Sequence, residues 1–332
     1  MFVIPKNREE RVMLLDFLES EGFYYWPEGN CREETGNSPF PVTVNPRLMQ
    51  VGHIGNVTCA AASVRHHISA EEFYLQYKQT KGYCYSPVVI HVPHASVLIP
   101  DDEMDAFIID DLDDELIKMT DHYCDELFEC KHEMLKFAYS RLVCDVERFR
   151  DDKNEPMAAR GMGFAYTHGS SLQKIRELSP DHRYYGIELC YYKPHHDELE
   201  CMVRRRLVEH KRCLIIDGHS FPGEPLPYEM NVSLDRPDIC IGTDKYHTSE
   251  SLIEKTKQFF EGKGYRVAVN SPFSGSIVPQ KYYRKDSRVQ SIMIEINRDL
   301  YMDNQAKKTE GFAIIKSDLR EYLDGAITPE TD

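Results

Sequence analysis

The chain has 332 residues, 41% of them hydrophobic and 11% aromatic, enough for one large α/β domain with a small appendage. Its formal net charge of -15, with no long basic run to offset it, argues against a nucleic acid or an anionic membrane as partner. Ten cysteines are scattered without a C-x-x-C pair, the pattern of free thiols in a reducing cytoplasm, so any metal is left to His and carboxylate ligands.

The N-terminus, MFVIPKNREERVMLLDF, has no apolar run ending in a small-residue cleavage site, and no stretch reaches the apolar length of a membrane span. From Glu9 to Glu21, Val12, Leu14, Leu15, Phe17 and Leu18 fall at helical spacing, and Gly22 ends the run. Strand character follows around Phe23–Trp26, Val42–Val44 and Met49–Ile54. Ser69 is the expected cap of a short helix through Lys78, with Glu72 completing a capping box. Residues 1–85 are therefore expected to be a small α+β module. It carries no catalytic signature, His66 and His67 read as exposed loop residues, and docking of a partner protein is its expected use.

After Ser86-Pro87 the pattern becomes strand and helix in alternation, placing an α/β domain over residues 86–332. Val88 to Val92 is a buried strand running into Pro93-His94-Ala95-Ser96, so His94 stands at a strand end. Leu112 to Phe137 reads as one long helix. On it Asp121 shares an apolar stripe with Ile117, Cys124 and Phe128, which is costly for a carboxylate unless it is paired or binds metal. Asp125, one turn on, is an alternative to Asp121.

Arg141 to Val146 reads as a strand, and alternation then puts Arg141 and Asp145 on one side with Arg148 just beyond. Two guanidiniums held near a carboxylate suit the grip of an anionic substrate, although a structural Arg–Asp pair has the same local pattern. Asp151 to Leu189 is a long irregular stretch, of the length usual for functional covers. A helix over His195 to His210 leads to Cys213-Leu214-Ile215-Ile216-Asp217-Gly218-His219, a buried strand whose end carries a carboxylate and an imidazole on one side. Further elements are expected at Ile239 to Gly242, Ser249 to Glu261, Tyr265 to Asn270, Ile292 to Ile296 and Thr309 to Leu323.

Two histidines at the ends of separate strands, with an acid from elsewhere, suit a mononuclear zinc site. Glu295 lies inside the apolar run Ile292-Met293-Ile294-Glu295-Ile296. Desolvation there would lift its pKa toward the range of a general base, and a buried ion pair with Arg298 is the competing explanation.

Taken together, these segments resemble the N-formylglutamate amidohydrolase family from about Pro87 to Asp303. The resemblance rests on Val92-Pro93-His94-Ala95-Ser96, Thr120-Asp121-His122-Tyr123-Cys124-Asp125-Glu126-Leu127, and Ser140-Arg141 through Asp145 and Arg148. It continues with Tyr192-Lys193-Pro194-His195-His196, Asp217-Gly218-His219-Ser220, Asn270 with Phe273 and Gly275, and Glu295 with Tyr301-Met302-Asp303. The family is similar to zinc carboxypeptidases and to the aspartoacylase and succinylglutamate desuccinylase group. That kinship implies a three-layer α/β fold, a mixed sheet flanked by helices (zinc carboxypeptidase-like, phosphorylase/hydrolase-like), with one zinc at the sheet's edge. It also implies that Asp217-Gly218-His219 supplies a ligand, that the segment from Asp145 to Arg148 binds a substrate carboxylate and that Glu295 is the base. Joined to the residue readings above, the expected site has zinc on His94, His219 and Asp121, with Asp125 left open as the other acid. Glu295 is the base, Arg141 or Arg148 serves the oxyanion or a substrate carboxylate, and Asp145, His196 and Asn270 lie toward the substrate. Four residues depart from the pattern: Glu147 replaces the Asn before the arginine, Ser276 a second glycine, Met293 a glutamine, and Val97 the glutamate that zinc carboxypeptidases place three residues after the first histidine.

The expected activity is zinc-dependent cleavage of the amide of a small anionic N-acyl amino acid such as N-formylglutamate, in the cytoplasm. A zinc peptidase or cell-wall amidase on the same centre, and a non-catalytic binding protein on the same scaffold, are the alternatives.

Overall fold

The computed structural model describes residues 2–4, 8–20, 24–25, 42–45, 50–53, 67–69 and 86–326. The chain divides into two compact units, Met1–Tyr85 with Cys201–Glu209, and Ser86–Glu200 with His210–Asp332. In the first, strands β1 (Phe2–Ile4), β2 (Tyr24–Tyr25), β3 (Val42–Asn45), β4 (Gln50–His53) and β5 (His67–Ser69) form a sheet in the order β2-β4-β3-β1-β5, with helix α1 over Arg8–Ser20. Leu14, Leu15 and Leu18, at one-turn spacing, are the buried side of α1, as its periodicity predicts. Ser69 ends strand β5, and the rest of the helix expected through Lys78 lies outside the described residues, as does His66.

The second unit is built on a six-stranded mixed sheet in the order β10-β9-β11-β8-β6-β7. Its strands are β6 (Val88–Val92), β7 (Glu133–Lys136), β8 (Cys213–Phe221), β9 (Ile239–Gly242), β10 (Val267–Val269) and β11 (Val289–Asn297). All neighbours run parallel except β9 and β11. Its helices are α2 (Asp101–Met104), α3 (Leu112–Met119), α4 (Cys124–Leu127), α6 (Glu250–Gly262) and α7 (Gly311–Glu321), together with α5 (Lys193–His210) as far as Glu200, the stretch Cys201–Glu209 of that helix belonging to the first unit. Ser249 caps α6 by accepting a hydrogen bond from the Leu252 amide.

Period-two alternation gives the sheet two unlike faces. Val88, Ile90 and Val92, Leu214 and Ile216, Ile239 and Ile241, and Ile292, Ile294 and Ile296 all enter one core, packed with Leu127, Phe128, Leu252, Phe260, Ile315 and Leu319 from the helices. The intervening positions carry the chemistry. Register pairs Glu295 with His219, and Asp217 with both Met293 and His91, so these side chains share the opposite face. Glycine at 218 allows this in a buried strand: a Cβ there would lie 2.8 Å from the Phe128 ring on the core side.

Two expected elements are corrected. The helix over Leu112 to Phe137 breaks after Met119, because Thr120 turns extended, Asp121 donates its backbone N–H to the His94 carbonyl (2.9 Å), and Tyr123 has φ 65°. The chain resumes as α4 and then adds edge strand β7 beside β6, so tertiary pairing overrides a continuous helical pattern. Arg141 to Val146 is not a strand. It coils through turns, with Val143 N bonded to Ser140 O and Asp145 N to Phe164 O, and its apolar character reflects packing in the core under the loops. The irregular stretch from Asp151 to Leu189 contains a 3-10 turn at Pro156–Arg160 and the start of a π-helix over His182–Tyr192 that runs into α5.

Candidate functional site

His94 leaves the end of β6, His219 stands in β8, and Asp121 sits in the break after α3, tied to His94 through the backbone bond just described. Their side chains converge. His94 Nδ1 is 3.2 Å from His219 Nδ1, and Asp121 Oδ2 is 3.1 Å from His219 Nδ1 and 3.6 Å from His94 Nδ1. All three are buried, and each offers one ligand atom to a common point. Two imidazoles and a carboxylate make a fitting donor set for a divalent ion such as zinc.

The other atom of each ligand is fixed by the protein. His94 Nε2 lies 2.8 Å from Asp145 Oδ1, and His219 Nε2 lies 3.1 Å from Asp217 Oδ1. Arg298 donates from Nη2 to Asp121 Oδ1 at 2.9 Å. Such carboxylate–imidazole pairs leave the Nδ1 lone pairs aimed at the shared point and hold each ring in one orientation. Asp217 Oδ1 also meets His91 Nδ1 at 2.8 Å, while His91 Nε2 faces His195 Nε2 at 2.8 Å. Glu147 closes this group at 3.3 Å from His91 Nδ1 and 3.5 Å from His219 Nε2. His91, Glu147 and Asp217 could themselves hold an ion, but the pairing of Asp217 with His219 makes them the support for the first group.

Burial dominates the electrostatics and is overcome wherever charges are paired. It would lift the Asp121 carboxyl, yet the hydrogen bonds with His219 and His94 and the Arg298 charge hold it well below its usual range. Asp145 and Glu147 are likewise held low against burial, the first by His94, Arg141 and Arg148, the second by His219 and His91. Burial would depress His219, but Asp217, Glu147 and Asp121 raise it well above an ordinary imidazole. Glu295 goes the other way. Its burial pushes the carboxyl up to about 8, helped by Asp121 and opposed by His219, Arg141 and Arg298, and its Oε2 has no hydrogen-bond partner. A buried carboxylate oxygen left without a donor beside three convergent ligand atoms fits a cation and a water at this point. The competing ion pair with Arg298 is not formed, because that guanidinium serves Asp121 and Ser220.

Arg141 donates from Nη2 to Asp145 Oδ2 (2.8 Å), its Nη1 lies 3.9 Å from Asp121 Oδ1, and Tyr166 donates its hydroxyl to the same Asp145 oxygen (2.5 Å). Arg148 rests against Asp145 with Nε at 3.4 Å and remains partly exposed in the wall of a cavity of about 470 Å³. His196 lines that cavity, its Nε2 2.9 Å from the Val146 carbonyl, and burial lowers its pKa to about 4, leaving it neutral. Asn270 is not in the lining. At φ 56° it is an exposed turn residue whose amide bonds Thr243. Asp125 is also apart, paired with Lys136 at the surface.

Sequence reasoning gave no role to His91, His195 or Tyr166. His91 had a signal, since an imidazole inside the run Val88 to Val92 must be paired to be buried, as was argued for Glu295. Tyr166 had none, because nothing local ties it to Asp145, 21 residues earlier.

The model of the family N-formylglutamate amidohydrolase matches residues 86–302. Among solved structures, the chain is similar to an N-formylglutamate amidohydrolase from Ralstonia eutropha JMP134, at 24% identity and TM-score 0.63, over 71% of this chain and 91% of that one. It is also similar to a gene product from Agrobacterium tumefaciens, at 20% identity and TM-score 0.52, over 72% and 90% of the two chains. At these identities the structures speak to the fold alone. No curated protein matches.

Proposed function

Because the chain belongs to the N-formylglutamate amidohydrolase family and is a hydrolase of that fold, we propose that it is a zinc-dependent enzyme cleaving the amide of an N-acyl amino acid such as N-formylglutamate. The observation that carries this reading is the convergence of His94 Nδ1, His219 Nδ1 and Asp121 Oδ2 beside the unpartnered Glu295 carboxylate. Those three residues would hold the metal, which when bound polarises a carbonyl and acidifies water.

The chain's own residues do the rest. Glu295 Oε2 takes a proton from the attacking water and passes it to the leaving nitrogen, a task suited to a buried carboxylate with raised proton affinity. Arg141, fixed by Asp145 and Tyr166, supplies positive charge for the developing oxyanion. Arg148 faces the cavity and grips the substrate carboxylate, with neutral His196 in the same wall. Hydrolysis of N-formylglutamate gives formate and glutamate.

A second reading, a peptidase or amidase acting on a larger acyl-amino acid, is favoured by one observation. Residues between Phe149 and Glu200 line a further cavity of about 980 Å³ that shares Phe149, Tyr192, His196 and Gln280 with the first. No helix among the described residues is long and apolar enough to cross a membrane, and the cytoplasm is the proposed place of work. Residues 1–85 remain for docking a protein partner, with residues 86–332 as the hydrolase domain.

The test is formate release by the zinc-loaded protein from N-formylglutamate, beside amino-acid release from short peptides. Turnover lost on chelation, restored by zinc, and reduced by about 10²–10⁴ in Glu295→Gln is expected. Turnover indifferent to chelator or to Glu295→Gln would overturn the reading.

A further inference from the structure

The loop between β10 and β11 lies on the face of the sheet that carries the site. Cys240 and Gly242 of β9 alternate with the core residues Ile239 and Ile241, and register places them beside Glu295 and Met293 of β11. Phe273 and Gly275 in the loop turn their carbonyls onto those two positions. Cys240 Sγ donates to the Phe273 carbonyl at 3.3 Å, and a Cβ at Gly242 would lie 2.5 Å from the Gly275 oxygen, so glycine is needed for this approach. In a trans peptide the N–H points opposite to the carbonyl. The Ser274 and Ser276 amides are therefore turned away from the sheet, and both residues line the cavity of about 470 Å³. Among the described residues neither amide has an acceptor.

The loop is pinned in this shape from below. The Ser276 hydroxyl meets Ser291 Oγ of β11, Ser291 Oγ donates to the Ile277 carbonyl at 2.7 Å, and the Ile277 amide donates to Asp217 Oδ2 at 3.2 Å. Asp217 is the carboxylate that holds His219, so the loop is tied to the metal-ligand cluster through one side chain. Ser276, which stands where the related pattern has a second glycine, supplies a pin that glycine could not. Two amides fixed on one side of a turn, with the exposed Ser274 hydroxyl beside them, form a set of donors suited to a carboxylate.

The same lining holds a cation. Arg148 lies 3.4 Å from Asp145, the carboxylate that orients His94. The acidic side chains of the lining are each compensated, Glu147 by His91 and His219, Glu155 by Arg148, Glu229 by Arg236 and Asp244 by Arg284, so a second anion is not barred from the loop.

We infer that residues 273–276 form a second carboxylate subsite. Arg148 takes the α-carboxylate, one carbon from the scissile amide nitrogen, and the Ser274 and Ser276 amides with the Ser274 hydroxyl take the side-chain carboxylate of an acidic acyl-amino acid. This rests on the hydrolase reading above and deepens it, by assigning the donors that select an acidic side chain over its neutral amide.

The experiment compares kcat/KM of the zinc-loaded full chain for N-formyl-L-glutamate and for N-formyl-L-glutamine, which has the same shape without the side-chain charge. A preference of about tenfold or more for the glutamate compound is expected, because hydrogen bonds to a charged group are about twice as strong as neutral ones. Ser274→Asp, at an exposed position, sets a like charge among the amides and should lower the glutamate-to-glutamine ratio by about tenfold. Equal turnover of the two compounds by the wild type, or an unchanged ratio in the variant, overturns the inference. Calorimetric binding of free L-glutamate and L-glutamine to both proteins gives a readout that needs no turnover. Glutamate should bind the wild type about tenfold tighter than glutamine and lose that advantage in Ser274→Asp, whereas equal binding to the wild type overturns the inference. If neither formyl compound is cleaved while this binding pattern holds, the hydrolase reading fails and the subsite stands. If both are cleaved alike, the subsite fails and the hydrolase reading stands.

Discussion

Asp145 is the residue whose loss should propagate furthest. It is fully buried and receives His94 Nε2 at 2.8 Å and the Glu147 amide at 3.1 Å on Oδ1. Its Oδ2 receives Arg141 Nη2 at 2.8 Å and the Tyr166 hydroxyl at 2.5 Å, with Arg148 Nε 3.4 Å away. In Asp145→Asn one of the two oxygens becomes an amide that cannot accept, so two of these donors lose their partner and two guanidiniums lose their counter-charge. Breaking a buried charge pair from one side costs about 3–5 kcal/mol, and the variant should lose stability near the lower end because one oxygen survives. The His94 ring also loses the carboxylate that fixes it. Loss of such a partner weakens metal binding about 10–100-fold, or about 1.4–2.7 kcal/mol. Competition of the protein with a chromophoric zinc chelator reads the affinity, and urea unfolding of the same samples reads the stability. Zinc affinity within about twofold of wild type, with the urea midpoint unmoved, would refute the claim that Asp145 orients His94.

Two further expectations concern the sheet. In chelator-treated protein the Glu295 carboxyl is raised from 4.5 to about 8. Below pH 4.5 it is protonated in folded and unfolded chains alike and costs nothing. Between 4.5 and 8 the unfolded chain releases the proton while the folded chain keeps it, so stability falls as pH rises, by up to about 5 kcal/mol in total at about 1.36 kcal/mol per unit. Glu295→Gln removes that slope, and urea midpoints at pH 5, 7 and 9 that run parallel in the two proteins would contradict it. Gly218→Ala puts a Cβ 2.8 Å from the Phe128 ring in a close-packed core and should cost about 1–3 kcal/mol, read as a lowered urea midpoint, whereas a neutral result would mean that the ring can move aside.

The strands were legible because their patterns are local. The apolar runs at Val88 to Val92, Cys213 to His219 and Ile292 to Ile296 are buried strands, and the polar residue interrupting each run marks the face that carries the site. Burial cost applied to Glu295 predicts a carboxylate facing a pocket, with an ion pair to Arg298 as the competing explanation; the structure leaves its Oε2 without a hydrogen-bond partner, and Glu295 is in the lining of neither cavity described above. Where periodicity was extended over a longer span it misled. Leu112 to Phe137 has helical spacing on both sides of a break whose cause, the backbone bond from Asp121 to His94, is a contact between segments 27 residues apart. Asp121 therefore reaches the cluster from a helix break and not from a helical stripe. Arg141 to Val146 looked like a strand because it is buried, yet its residues coil so that Arg141 and Asp145 meet four positions apart instead of by alternation. Of the side chains that support the ligands, His91 is announced by its place in the apolar run Val88 to Val92, whereas Tyr166 and His195 come together with the cluster only through tertiary packing.

The central claim is that three residues brought from far apart in the chain hold a single catalytic ion. Metal analysis of the purified protein, for wild type and for His219→Ala, tests it most directly. About one zinc per wild-type chain, falling to near zero in a variant that retains the wild-type circular dichroism, is the predicted result. Equal metal content in both folded proteins, or none in an active wild type, would contradict it.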